Sequence, residues 1–209
     1  MEWSDIIRAA GFTTPHPNHN GGLEFHHLSV KDTLPLTKAM QKNQKHLDAY
    51  LPVFGRHQTK GVLEVQTWIR GMLAEEFPSQ HFVFKYKGRL CGFASTLPIS
   101  GDPREVQLRY MVFEGFTGKG IGTRIAHTLE LYAFYVWGYH RIFIEMDSAN
   151  APSMRVAQKL DYPFKGTKEY DKVGTKGTGF WYSYVKERPE GIQDGVIQGR
   201  PSDNFTNSP

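Results

Sequence analysis

Apolar positions recur along the chain at two spacings, and the switches between them mark out the elements. From Leu23 the run LEFHHLSV reads as a strand and leads into two helical patterns, over about 33–47 and about 62–77. The second carries Val62, Val65, Trp68, Ile69, Met72 and Leu73 at helical spacing, and a segment with Leu51, Pro52 and Gly55 separates the two. Three strand runs follow, HFVFKY, RLCGFASTL and VQLRYMVF. Lys87-Gly88 joins the first two and PISGDPRE the last two, which predicts an antiparallel meander. Ile121, Ile125, Leu129, Tyr132 and Val136 then recur every three to four residues, predicting a helix that ends near Gly138. RIFIEMD reads as a buried strand, APSMRVAQKL as a helix capped by Asn150, and GFWYSYVK as a last strand.

The ends carry less pattern. MEWSDIIRAAGF predicts a short amphipathic helix capped by Ser4 that runs into the turn-rich TTPHPNHNGG, and beyond Lys186 the chain is polar and predicts a mobile tail. The expected division is an N-terminal extension over 1–22, one domain over 23–186 and a tail over 187–209.

Composition narrows the class. With 39% apolar and 13% aromatic residues the 209-residue chain is that of a globular protein. No apolar run approaches the roughly 20 residues that span a bilayer. The start lacks a basic leader and a sustained apolar stretch, so neither a secretory signal nor a membrane partner is expected, and a cytoplasmic location is. A lone cysteine, Cys91, excludes an intrachain disulfide and any zinc site built on several thiolates. The net charge of +4 favours an anionic ligand, but the basic residues are scattered, so a polyanionic cofactor fits better than nucleic acid. His16, His19, His26 and His27 cluster without a carboxylate motif and are not read as metal ligands, and His127 falls on an exposed helix face.

The chemistry-bearing stretch is GFTGKGIGTR, between a strand and a helix, where free amides and the positive end of a helix dipole suit phosphate oxygens. A P-loop fails because Gly118-Lys119 is followed by Gly120 and the first glycine position is Phe113. A dinucleotide fingerprint starting at Gly118 or Gly120 fails because its last glycine falls on Thr123 or Ile125. G-K-G-I-G remains, a turn that is either structural or phosphate-binding.

This loop together with SANAPSMRVAQKLDYPFKGTKEY resembles the acyl-CoA-binding core of the GNAT superfamily of N-acetyltransferases, in the branch typified by RimJ and RimL, which acetylate N-termini of ribosomal proteins. The carrying residues are Tyr110, Gly118-Lys119-Gly120-Ile121-Gly122, Tyr132-Ala133-Phe134, Glu145 to Asp147, Asn150, Ser153, Lys159-Leu160 and Gly166. The resemblance covers about 23–186 and implies an α/β (α+β) fold, a mixed, mostly antiparallel sheet flanked by helices with two parallel strands, VQLRYMVF and RIFIEMD, splayed apart for pantetheine. It implies acetyl-CoA as donor, no metal, direct attack by an amine, and in this branch often a homodimer. The acceptor it leaves open: a small-molecule amine or a protein N-terminus.

Gly118, Lys119, Gly120, Ile121, Gly122 and Thr123 are then expected at the pyrophosphate, with Thr117 offering a hydroxyl and an N–H, and Lys119 and Arg124 adding charge. Met111, Val112 and Phe113 are expected to bond the pantetheine amides, with a backbone N–H near Val112 as oxyanion donor. The family's positions make Asn150 a pantetheine anchor and Ser153 a proton donor to the thiolate. The branch often has a glutamate base where this chain has Gln107, which leaves three routes: Glu105, two residues earlier, as base through water, an acceptor that arrives neutral, or deprotonation by solvent. Two rival readings follow: a CoA-binding regulatory or interaction protein that has lost catalysis through Gln107, and a nucleotide-binding protein of another fold. Lys165, where the family has a glutamate, is read as a solvated charge, Trp181 as core, and Tyr182 as core or substrate-stacking.

Overall fold

The computed structural model describes residues 22–50, 61–74, 79–99, 101–171 and 178–191. The helix read at 1–12, His16, His19, Leu51, Pro52 and the tail beyond 191 lie outside them. The strands are β1 (Leu23–His27), β2 (Gln80–Tyr86), β3 (Arg89–Pro98), β4 (Glu105–Val112), β5 (Arg141–Asp147), β6 (Phe164–Asp171) and β7 (Thr178–Glu187). The helices are α1 (Thr33–Lys42), α2 (Gln44–Tyr50), α3 (Val62–Leu73), α4 (Ile121–Leu131) and α5 (Ala151–Lys159).

The seven strands form one sheet in the order β1-β2-β3-β4-β5-β7-β6. Every neighbouring pair is antiparallel except β4 and β5. Alternation along each strand divides the core into two layers. Phe82, Phe84, Val106, Leu108, Ile142 and Ile144 pack with Ile121, Ile125 and Leu129 of α4. Val83, Phe93 and Met111 pack on the opposite face with Leu36 and Met40 of α1, Leu47 of α2, and Val65 and Ile69 of α3.

Three departures from the sequence reading have local causes. The helix expected over 33–47 breaks at Asn43, whose side chain is used elsewhere in the fold. The helix after the glycine loop is α-helical to Leu131 and continues as a π-turn over Tyr132–Val136, with Trp137 N–H bonding the Tyr132 carbonyl at 2.9 Å, before Gly138 at φ 66° ends it. The strand β6, FKGTKEYD, was not among the strands read: it is a polar edge strand, and edge strands tolerate charge where central ones do not.

Candidate functional site: a splayed strand pair closed by a glycine loop

β4 and β5 pair in parallel over only Glu105↔Arg141, Val106↔Ile142 and Gln107↔Phe143, and beyond these the strands separate. The register on the other side of β4 shows which groups face the opening. Phe113 N–H bonds the Cys91 carbonyl at 2.9 Å and Ile99 N–H bonds the Glu105 carbonyl at 3.3 Å, so odd-numbered residues of β4 turn their peptide groups to β3. Even-numbered ones, Leu108, Tyr110 and Val112, turn theirs to the opening. Of the three residues expected to bond pantetheine, Val112 therefore faces the gap, while Met111 pairs with Phe93 and Phe113 is held by Cys91. Tyr110, not chosen for its backbone, shares Val112's edge.

The strand exit is clamped from the other helical layer. Asn43 Oδ1 accepts Glu114 N–H at 2.7 Å, and His46 Nε2 lies 3.1 Å from the Val112 carbonyl. A carbonyl only accepts, so the His46 proton sits on Nε2. A short 3₁₀ turn, Glu114–Phe116, then leads into the loop. Gly118 and Gly120 both have φ 72°, the left-handed region that favours glycine. At either position a Cβ would meet no atom within 4 Å. The first i→i−4 bond of α4 runs from Arg124 N–H to the Gly120 carbonyl at 3.1 Å, so the amides of Ile121, Gly122 and Thr123 precede it and have no helical acceptor. Gly122 sits between Val112 and Val156, where an added Cβ would lie 3.5 and 3.6 Å from their methyls. The start of α4 is thus lodged between the end of β4 and α5.

Other loop residues act differently from expectation. Thr117 turns both donors to the Glu114 carbonyl, the N–H at 3.1 Å and the hydroxyl at 2.8 Å. Lys119 Nζ braces the loop on the Gly115 carbonyl at 2.8 Å, and the Arg124 guanidinium lies 5.7 Å from the Tyr86 ring centre.

Across the opening, Asn150 caps α5: its Oδ1 accepts Ser153 N–H at 3.1 Å. Ser153 Oγ lies 3.0 Å from the Tyr110 hydroxyl. Burial pushes the Tyr110 phenol up to about 12, so it keeps its proton at neutral pH. The sequence reading used Tyr110 only as a motif residue, and a contact between residues 43 positions apart leaves no trace in spacing.

On the opposite face of the sheet, Gln107 Nε2 donates to Glu145 Oε2 at 2.8 Å and Arg109 Nε donates to Gln107 Oε1 at 2.8 Å. Arg109 has only donors, so it fixes the Gln107 amide with its NH₂ toward the carboxylate. These residues line a cavity of about 630 Å³ shared with Lys165 to Tyr170, Trp181 and Ser183. Tyr170 forms a hydrogen bond through its hydroxyl with Asp147, and its ring covers Gly179. Trp181 is 42% exposed and belongs to this wall, which corrects its reading as core; Tyr182 is half-buried against the α4 side.

Glu105 is not brought to this place. It sits at the joined end of β4 in an ion pair with Arg141, five residues or roughly 16 Å of strand from Tyr110. Cys91 is fully buried and its thiol is pushed up to about 12 by burial, so it offers no thiolate. Among the described residues no cluster of His, Cys, Asp and Glu fits a metal ion, and no helix is long and apolar enough to cross a membrane.

A seven-stranded mixed sheet with one parallel pair that parts beside a glycine loop defines the acetyltransferase architecture. The Acetyltransferase (GNAT) domain family matches residues 23–162, and the chain belongs to that family. Among solved structures it resembles Mycobacterium smegmatis RimJ in complex with CoA-disulfide, with a TM-score of 0.72, 20% identity, and coverage of 82% of this chain and 85% of that one. It also resembles the Salmonella typhimurium acetyl transferase that modifies the N-terminal serine of ribosomal protein L7/L12, with a TM-score of 0.67, 18% identity, and coverage of 79% and 95%. The spermidine N(1)-acetyltransferase of Escherichia coli K12 is 23% identical over 87 residues, 42% of this chain. The chain thus spans about half the length of that curated relative, 47%.

Proposed function

We propose that the domain, taken as 23–186, is an acetyl-CoA-dependent N-acetyltransferase acting on a primary amine. The observation that carries this is the parting of β4 and β5 directly beside a loop whose two left-handed glycines leave open space at their Cβ positions. The residues fit the cofactor: amides of Gly118 to Thr123 would hold the pyrophosphate, and Tyr110 and Val112 would meet the pantetheine amides; the similar RimJ is solved in complex with CoA-disulfide. Acetyl-CoA supplies an acetyl group already activated as a thioester.

The chain supplies the protons and their positions. An alkyl ammonium near pKa 10 must lose a proton before it is nucleophilic. Glu145 is the carboxylate placed for this. It lies two residues past the last parallel pair, at the mouth of the cavity, with Oε2 held by Gln107. Gln107 is a positioning residue. The Tyr110 hydroxyl, protonated and 3.0 Å from Ser153 Oγ, forms a donor pair able to deliver a proton to a departing thiolate. Asn150 holds the helix start that carries Ser153.

The reading of a catalytically lost regulatory protein rested on Gln107, and the neighbouring Glu145 restores the carboxylate that Gln107 lacks. The proposal includes a cytoplasmic setting and a homodimer. The relatives act on a protein N-terminus and on spermidine, and what the two share, a primary amine, is the acceptor class taken here. Amine-dependent release of CoA thiol from acetyl-CoA, followed across an amine panel, tests the proposal; CoA binding without turnover of any amine would leave the regulatory reading in its place.

A further inference from the structure

The cavity beside Gln107 and Glu145 has a charged lining. Its lining joins Gln107, Arg109 and Glu145 at one end to Lys165 and Lys168 of β6 at the other. The register runs Lys168↔Trp181↔Asp147 across three strands, and Gly166↔Ser183↔Glu145 one pair along. Strand alternation puts Lys168 on the face of Trp181, and Glu169, paired with Phe180, borders the cavity from the next position. At about 4.8 Å between strands and 3.3 Å per residue, the backbones of Lys168 and Glu145 stand roughly 12 Å apart. Both side chains reach inward over that span, so a compact molecule can touch the two.

The carboxylates near the opening already have partners. Glu145 accepts from Gln107, and Asp147 accepts from Tyr170 and from Ala149 N–H. The lysines do not: neither Lys165 nor Lys168 has an ion pair among the described residues. Arg109 adds a third cation at the same cavity, directed by Gln107. Tyr170 stands in the wall between, bonded to Asp147 through its hydroxyl and packed over Gly179, where a Cβ would fall 2.4 Å from a ring carbon.

We infer that the acceptor is a primary amine that carries an anionic group a few bonds away, the amine meeting Glu145 and the anion meeting Lys165 and Lys168. This rests on the acetyltransferase reading above. A second cationic group at the same position would face the lysines and be disfavoured. The shared chemistry is that of a free amino acid or aminoalkyl phosphate and of a peptide N-terminus followed by an acidic residue.

The test compares kcat/KM for matched acceptors in the full-length protein: 4-aminobutyrate against 1-aminobutane and 1,4-diaminobutane, and peptides Ser-Asp-Ala and Ser-Asn-Ala. At low salt the anionic member of a series is expected to be preferred about tenfold over its neutral partner and more over the diamine. Lys168→Gln and Lys165→Gln should each reduce that preference severalfold and leave affinity for CoA unchanged. Added salt should erode the preference in the wild type. Preference within the butyl series but not the peptides identifies a small molecule as the source of the anion, and the converse a protein N-terminus. Turnover of neutral or dicationic amines equal to or above anionic ones overturns the inference and leaves the acetyltransferase reading intact. CoA binding with no turnover of any amine overturns both.

Discussion

Replacing Gly120 with alanine should separate the fold of the loop from its use. Gly120 has φ 72° and ψ 3°, and an L-residue held in that region costs about 1–2 kcal/mol. No described residue resists the change, because the added Cβ meets none of their atoms within 4 Å. For a domain of this size the variant should therefore melt only about 2–8 °C below wild type. The open space is where a phosphate must approach the first amides of α4, so the same methyl should weaken CoA binding at least about tenfold, or 1.4 kcal/mol. Gly92→Ala is the contrasting change. Its Cβ would lie 2.5 Å from the Met111 carbonyl oxygen and 3.1 Å from Ile125 Cδ1, so β3 and β4 must move apart, costing about 1–3 kcal/mol of stability. Calorimetric melting and titration with CoA on both variants read the two effects. A Gly120→Ala protein with wild-type affinity would refute the assignment of this space to phosphate.

Four further outcomes follow from the same geometry. Tyr110→Phe should lower kcat about a hundredfold by removing the buried proton donor, with a loss that is the same from about pH 7 to 10 because the phenol stays protonated until about 12; a loss confined to high pH in the pH–rate profile would contradict this. Glu145→Gln should cut turnover by a similar factor, whereas Glu105→Gln should leave kcat near wild type and act on stability through Arg141; the reverse order of effects in steady-state kinetics would return the role of base to Glu105. The folded-state values of Cys91 and Tyr110 are raised, from 9.0 and 10.0 to about 12, so their contribution to stability is intact below the unfolded values and is lost as pH climbs toward 12; urea midpoints should fall between pH 8 and 11, and a flat profile would refute the burial argument. Asn43→Leu removes the acceptor of Glu114 N–H and should raise KM for acetyl-CoA severalfold with KM for the amine unchanged, while Asn43→Asp, which keeps an acceptor oxygen, should recover most of it.

The central strands were legible because their alternation is strong: RIFIEMD is β5 residue for residue, and Asn150 caps α5 as read. The pattern of VQLRYMVF did not tell which residues face the gap, because that depends on hydrogen-bond register with β3, set by Phe113 and Cys91. β6 was missed because Lys165, Lys168 and Glu169 give an edge strand the composition of a loop. Trp181 was misplaced because Phe180, Trp181 and Tyr182 are consecutive aromatics and carry no period. Gln107 stands on β4 and the carboxylate it holds is 38 residues away on β5, so that only the folded chain brings the two within 2.8 Å.

The most direct measurement is amine-dependent acetylation itself: wild-type protein incubated with acetyl-CoA and each amine in turn, with CoA thiol release and the acetylated amine quantified in the same samples. Equal amounts of both products are expected, appearing only with an acceptor and reduced about a hundredfold in Glu145→Gln while CoA still binds. Thiol release that is independent of amine, or binding of CoA with no acetylated product at any pH, would contradict that expectation.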